Sequence, residues 1–245
     1  MANGFDPRIG GGTNPAATVD RKGVAVDAGL RAHMLSVYNY MTSGVLLTGV
    51  VALGAAMLGV PQALFTGGNI LGWIVIFAPL IMVFFLMARV NHMSVGGLQA
   101  FFWTFATVMG LSMSTVFIAY TGVSIAQTFF AVTAAFLGLS LYGYTTKRDL
   151  SGFGTFLIMG VVGLLVAMLI NLFLQSPAMQ LAISAIGVLL FAGLTAYDTQ
   201  KIKSMYAYVA GSDMMGKVVI MGALNLYLDF INMFQFLLSL IGNRD

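Results

Sequence analysis

Seven apolar runs, each long enough to cross a bilayer, divide this 245-residue chain almost from end to end. A transmembrane helix needs about 20 predominantly apolar residues. The runs fall at roughly 37–60, 70–91, 97–121, 123–146, 152–174, 178–200 and 217–241. In lipid every backbone N–H and C=O must be satisfied within its own segment, so runs of this length read as helices. The fold class is an all-α integral membrane protein with seven transmembrane helices.

Composition agrees. Charged residues make up 8% of the chain, against about 25% in an ordinary soluble domain, and the mean hydropathy is +0.94. The breaks between runs have chemical causes: Pro61 with Gly67-Gly68, Asn91-His92 with Gly96-Gly97, Thr121-Gly122, Lys147-Arg148-Asp149 and Ser176-Pro177. The last loop, 201–217, is the longest. Residues 1–34 read as a flexible cytoplasmic tail rich in Gly, Pro, Ala and Asp, without the apolar core of a cleaved signal peptide. Residues 35–245 read as a single seven-helix transmembrane domain.

The basic residues set an orientation. The tail and the loops after the second, fourth and sixth runs carry ten of the eleven Lys and Arg, leaving only Arg244 beyond the seventh. The positive-inside rule then places the N-terminus in the cytoplasm and the C-terminus outside. Small residues are assigned to helix packing: Gly49, Gly54 and Gly59 in the first run, Gly110 with Ser114 in the third, Ala131 with Ala135 in the fourth.

Ionisable residues inside the runs are few: Arg89, Asp198 and Asp229. A carboxylate at a helix centre costs about 2.5–3.5 kcal/mol on insertion scales. Intramembrane charges therefore mark function by default. In an antiparallel hairpin, residues equidistant from the tip share a depth. The midpoint of 198 and 229 falls in AGSDMMG, the strongest turn signal in that loop, so Asp198 and Asp229 are expected to meet. Asn225, Asp229 and Asn232 share one helical face, and Thr195 and Thr199 cluster with Asp198. Two carboxylates within reach cannot both ionise cheaply. The pair would share a proton and titrate as a unit, or, ionised, offer hard oxygens to a cation such as calcium. Arg89, bending inward, would latch the pair; alternatively it is an interfacial anchor.

The elements 193-GLTAYDTQKIKSMY-206 and 223-ALNLYLDFINMFQFLLSLIG-242, with 138-GLSLYGYTTKRDLSGFGTFLIMG-160, resemble the Bax inhibitor-1 family in its bacterial branch. The resemblance covers about residues 35–242. It implies six helices wrapped around a central C-terminal helix, and a pH-sensitive calcium leak channel in a bacterial inner membrane. It also implies that Asp198 and Asp229 are the family's acidic pair and that Arg89 is its latching arginine. Calcium is then a transported ion, and no cofactor is expected. The segment YAYVAGSDMMGK departs from the shorter bacterial pattern as an extension of the hairpin tip.

Two other functions share these features: a regulator of a membrane protease or stress-response complex acting through the tail, and a proton/calcium exchanger using the same pair. The expected partners are the lipid bilayer, calcium ions, protons and, on the regulator reading, a membrane protease. An intramembrane aspartyl protease is disfavoured because neither aspartate sits in a GxGD-type element, so no enzyme activity is expected. His33, ahead of the first run, and His92, in a loop, lack zinc-site spacing. The basic balance belongs to membrane topology, with no nucleic-acid partner.

Overall fold

The computed structural model describes residues 15–65 and 70–244, with side chains for 28–64 and 70–244. The described residues are helical throughout, joined by short turns. The helices are α1 (Pro15–Met57), α2 (Val60–Phe65), α3 (Ile70–Arg89), α4 (Val95–Met113), α5 (Val116–Ala119), α6 (Gly122–Thr145), α7 (Ser151–Leu174), α8 (Pro177–Val209) and α9 (Met215–Ile241). Seven segments are long and apolar enough to span a membrane: Ala28–Met57, Ile70–His92, Val95–Ala119, Gly122–Thr145, Ser151–Leu174, Pro177–Val209 and Met215–Ile241.

Capping chemistry ends these helices. Gly59 adopts φ +71° after α1, the left-handed position that glycine fills without penalty. Ser94 caps α4 by accepting from Gly97 N at 3.1 Å, so the break assigned to Gly96-Gly97 belongs to the serine before it. Thr121 caps α6 through Ser124 N at 3.2 Å. Ser176 accepts from Met179 N at 3.3 Å, and Pro177 takes the first turn of α8, where its missing N–H costs nothing.

Three boundaries differ from the sequence expectation. The third run is interrupted: Ser114 Oγ donates to Leu111 O at 2.6 Å and Thr115 Oγ1 to Ser112 O at 3.1 Å. Such back-bonding disturbs the helical ladder and separates α4 from α5. The loop at 201–217 is mostly helix, because α8 continues to Val209. KIKSMYAYV contains no Gly or Pro, Ile202 is buried, and Lys203 Nζ donates to Tyr144 O at 2.6 Å. At 1.5 Å per residue α8 is about 50 Å long and outreaches a hydrocarbon core of about 30 Å. Finally, α1 begins at Pro15, inside the stretch read as a tail. Residues 1–14 and the side chains of 15–27 lie outside the described residues.

The packing helices are α8 and α9. α9 packs against α8, α1, α6 and α4, while α3 packs mainly on α4, and α7 on α8. The most apolar stretch of α9 is 56% buried, against 17% for the second and fifth spans. Tyr227, fully buried, ties α9 to its neighbours: its hydroxyl shares a hydrogen bond with Thr48 Oγ1 at 2.6 Å, and that Oγ1 donates to Ala106 O at 2.9 Å.

Close helix approach rests on other glycines than expected. A Cβ at Gly49 or Gly54 would meet nothing within 4 Å, and Ala131 and Ala135 are exposed. No neighbouring helix presses on the two glycines. Gly110 does serve packing, since a Cβ there would lie 2.8 Å from Thr48 O on α1. Gly143 lies against the Ala196 carbonyl of α8 with no room for a Cβ.

Gly143→Ala is expected to push α6 off α8 and destabilise the protein by about 1–3 kcal/mol. Gly138→Ala, which enters open space, should be neutral or slightly stabilising. Thermal unfolding of both variants in detergent checks this. Tyr227→Phe should cost about 1 kcal/mol in the same assay, within the range for interhelical hydrogen bonds in membranes.

Candidate functional site

The α8–α9 turn occupies Ala210–Met214, with Gly211 at φ +75°. The two helices form the most extensively packed pair in the molecule. The turn lies within AGSDMMG, where the depth argument puts it, so the two aspartates sit on packed helices at similar distances from it. Both are buried, Asp198 at 9% exposure and Asp229 at 4%. The Oδ2 of Asp229 is buried without a hydrogen-bond partner. An unpaired polar atom in such a place is expensive, so this oxygen is available to a proton or a cation.

The polar residues around the pair divide into two sets. Thr195 Oγ1 donates to Phe191 O at 2.8 Å, Thr199 Oγ1 to Thr195 O at 2.8 Å, and Asn232 Nδ2 to Leu228 O at 2.8 Å. Each of these donors is spent on its own helix. Asn225 belongs to the second set. It lines a cavity of about 330 Å³ with Asn91, Lys201 and Lys217, one helical turn from Asp229 toward the α8–α9 turn. Lys201 lies three residues after Asp198 on α8.

Arg89 is exposed at the end of α3. Among the described residues it makes no ion pair with either aspartate. A cation that does line the cavity beside Asn225 is Lys201, together with Lys217. Periodicity carried a signal for it: 198 and 201 are i, i+3 neighbours on one helix face.

Sequence reasoning also passed over the working parts of the two motifs. Gln200 holds the loop after α6, accepting from Leu150 N at 2.9 Å and donating to Arg148 O at 2.8 Å. Thr199 Oγ1 lies 3.0 Å from Ser140 Oγ, which lies 2.5 Å from Tyr38 OH. This chain of hydroxyls links α8, α6 and α1. Ser140 had a signal of its own: Ser124, Thr128, Val132, Phe136 and Ser140 form a buried stripe at steps of four on α6.

Other titratable groups stand apart. Asp149, in the loop before α7, accepts from Ser151 N at 2.9 Å. The Ser151 hydroxyl and N–H hold its carboxyl below the usual carboxylate range. A lowered folded-state value contributes stability above the unfolded value, and loses it only as pH falls through the folded one. Asp149 therefore stays ionised near neutral pH and senses nothing there. His33 lies inside the first span, not ahead of it, because that span begins at Ala28. It is 1% exposed beside Tyr206, ring centroids 5.3 Å apart.

Among the described residues no group of three or more His, Cys, Asp or Glu is placed to hold a metal. Calcium takes six to eight oxygens. Two aspartates alone supply only part of such a shell.

Residues 30–245 match the family described as inhibitor of apoptosis-promoting Bax1. The chain is 46% identical to the inner membrane protein YbhL of Escherichia coli K12 over 89% of this chain and 94% of that protein. It is 46% identical to a protein of Rickettsia prowazekii over 93% and 96% of the two chains, and 45% identical to one of Caulobacter vibrioides over 92% and 94%. With seven membrane-spanning helices and this match along nearly its whole length, the chain is a multi-pass membrane protein belonging to the Bax inhibitor-1 family.

Proposed function

We propose that this protein is a proton-regulated calcium leak channel in which Asp198 and Asp229 form the ion site, with no enzymatic role and no resident cofactor. The observation that carries the reading is the unpartnered, buried Oδ2 of Asp229 beside a second buried carboxylate. Packing alone gives no reason to place two acids at one depth in lipid. A proton or a calcium ion satisfies that oxygen, and the two compete for it.

In this account α9 is the central helix, with the other spans around it. Its burial and its contacts with α1, α4, α6 and α8 support that arrangement. The protein sits in a bacterial inner membrane, consistent with the name of its Escherichia coli relative. The basic end of the bundle, which holds Arg31, Arg89, Lys147, Arg148, Lys201, Lys203 and Lys217, faces the cytoplasm and the C-terminus lies outside. Beyond Asp229, α9 presents Phe230, Ile231, Met233 and Phe234, all buried. Phe230 packs edge-on to Phe129 and Phe136 at 5.7 Å each.

Lys201 is assigned the restraining role in the closed conformation. Lys201 lines the cavity that reaches Asn225, one helical turn from Asp229, and a positive charge there would offset part of the attraction for a divalent cation. Arg89 serves as an anchor at the membrane surface in this conformation.

In proteoliposomes loaded with a calcium indicator, the wild type should pass Ca²⁺ at a rate that changes between mildly acidic and mildly alkaline pH. Asp229→Asn should reduce the flux at least about tenfold, the equivalent of about 1.4 kcal/mol, and flatten its pH dependence. Absence of Ca²⁺ flux by the wild type at every pH sinks the proposal. Lys201→Gln should raise Ca²⁺ flux at a fixed pH, by up to roughly tenfold. An unchanged or lower rate in a variant that elutes as a single species from gel filtration removes Lys201 from the restraining role.

A further inference from the structure

A cavity of about 540 Å³ lies away from the aspartates, along the seam between α1 and α6. Its floor is Phe230 of α9. A second cavity of about 320 Å³ continues along the same seam and shares Val45, Phe129 and Phe230 with the first. Both α1 and α6 pack against α9, which leaves a trough above that helix.

The trough changes character along its length. At the basic end it is lined by Arg31, which is exposed and among the described residues makes no ion pair. Farther in, Tyr38 and Ser140 are bonded to each other at 2.5 Å, and Thr133 Oγ1 donates to Phe129 O at 2.8 Å. With these hydroxyls engaged, the wall beyond Arg31 is apolar. Its rim carries Leu35, Leu137 and Leu141, exposed by 51%, 64% and 63%, as side chains facing lipid are. From Arg31 to Val45, α1 rises about 21 Å at 1.5 Å per residue. That length matches one leaflet: half of a hydrocarbon core of about 30 Å, plus the headgroup region.

We propose that this seam holds one anionic phospholipid from the leaflet at the basic end. Its phosphate is bound by the Arg31 guanidinium, and one acyl chain lies between α1 and α6 on Phe230. A guanidinium is the side chain best matched to a phosphate, and a free phosphate ion would leave the apolar length of the trough unfilled. Because Phe230 follows Asp229, the acyl chain lies against the segment of α9 that carries the candidate ion site. The assignment rests on cavity, charge and depth, and stands whether or not the protein conducts calcium.

The test uses the full chain with Trp73→Phe and Trp103→Phe, carrying Leu137→Trp as a reporter at the rim. It is reconstituted in phosphatidylcholine bilayers containing a minor fraction of lipid brominated on its acyl chains. Brominated phosphatidylglycerol should quench the reporter in preference to brominated phosphatidylcholine, with a roughly fivefold difference in apparent affinity, as expected for about 1 kcal/mol per basic residue. Arg31→Gln should abolish the difference. A reporter at Val162, exposed on α7, should show none. Equal quenching by both lipids at Leu137→Trp, or a preference that survives Arg31→Gln, overturns the proposal. Native mass spectrometry on protein with both tryptophans intact provides a second reading. One phosphatidylglycerol should be retained from a mixed bilayer and lost in Arg31→Gln; equal retention by both proteins contradicts the assignment.

Discussion

The packing of α8 against α9 is the interaction on which the rest of this molecule depends. It carries Asp198 and Asp229, both buried, on two packed helices and leaves one carboxylate oxygen of Asp229 without a partner. The hairpin is held along its length. Ile202 packs onto Gly222 near the basic end, where a Cβ would sit 3.1 Å from it. Ser184 Oγ donates to Ser239 Oγ at 3.1 Å near the opposite end. A polar pair in lipid survives when the surrounding structure holds it in one geometry, and these contacts supply that hold.

The other helices satisfy their own polar groups and in doing so frame the pair. Tyr227, Thr48 and the Ala106 carbonyl bind α9 to α1 and α4. Tyr38, Ser140 and Thr199 bind α1 to α6 and α8. Gln200 and Lys203 secure the end of α6 and the loop that follows it. The residues beside Asp198 in YDTQK thus have separate duties: Thr199 joins helices, Gln200 fixes a loop, and Lys201 stands next to the acid. In the LYLD element, Tyr227 anchors the helix and Asp229 is buried with an unpartnered oxygen.

Much of this was legible in the sequence because lipid imposes simple rules. Seven apolar runs could only be helices, and AGSDMMG, the strongest turn signal after the sixth run, is where α8 gives way to α9. The misses have physical causes. Hydropathy does not register back-bonding by Ser114 and Thr115, so the break between α4 and α5 was invisible to it. Nor does it see a helix that continues past the membrane, as α8 does to Val209. Glycine counting could not tell Gly49 and Gly54, on which no neighbouring helix presses, from Gly110 and Gly143, which meet a backbone carbonyl on a neighbouring helix. Arg89, read from sequence as either a latch or an interfacial anchor, is exposed at the end of α3.

The proposed function requires that the aspartate pair hold a proton that calcium displaces. Infrared difference spectroscopy on the reconstituted protein tests it most directly, by following carboxyl bands as Ca²⁺ is added at near-neutral pH. The account predicts loss of a protonated-carboxyl band with gain of a carboxylate band, and disappearance of both signals in Asp198→Asn and in Asp229→Asn. A wild-type spectrum in which Ca²⁺ leaves the carboxyl bands unchanged, or a change that persists in both variants, would contradict it.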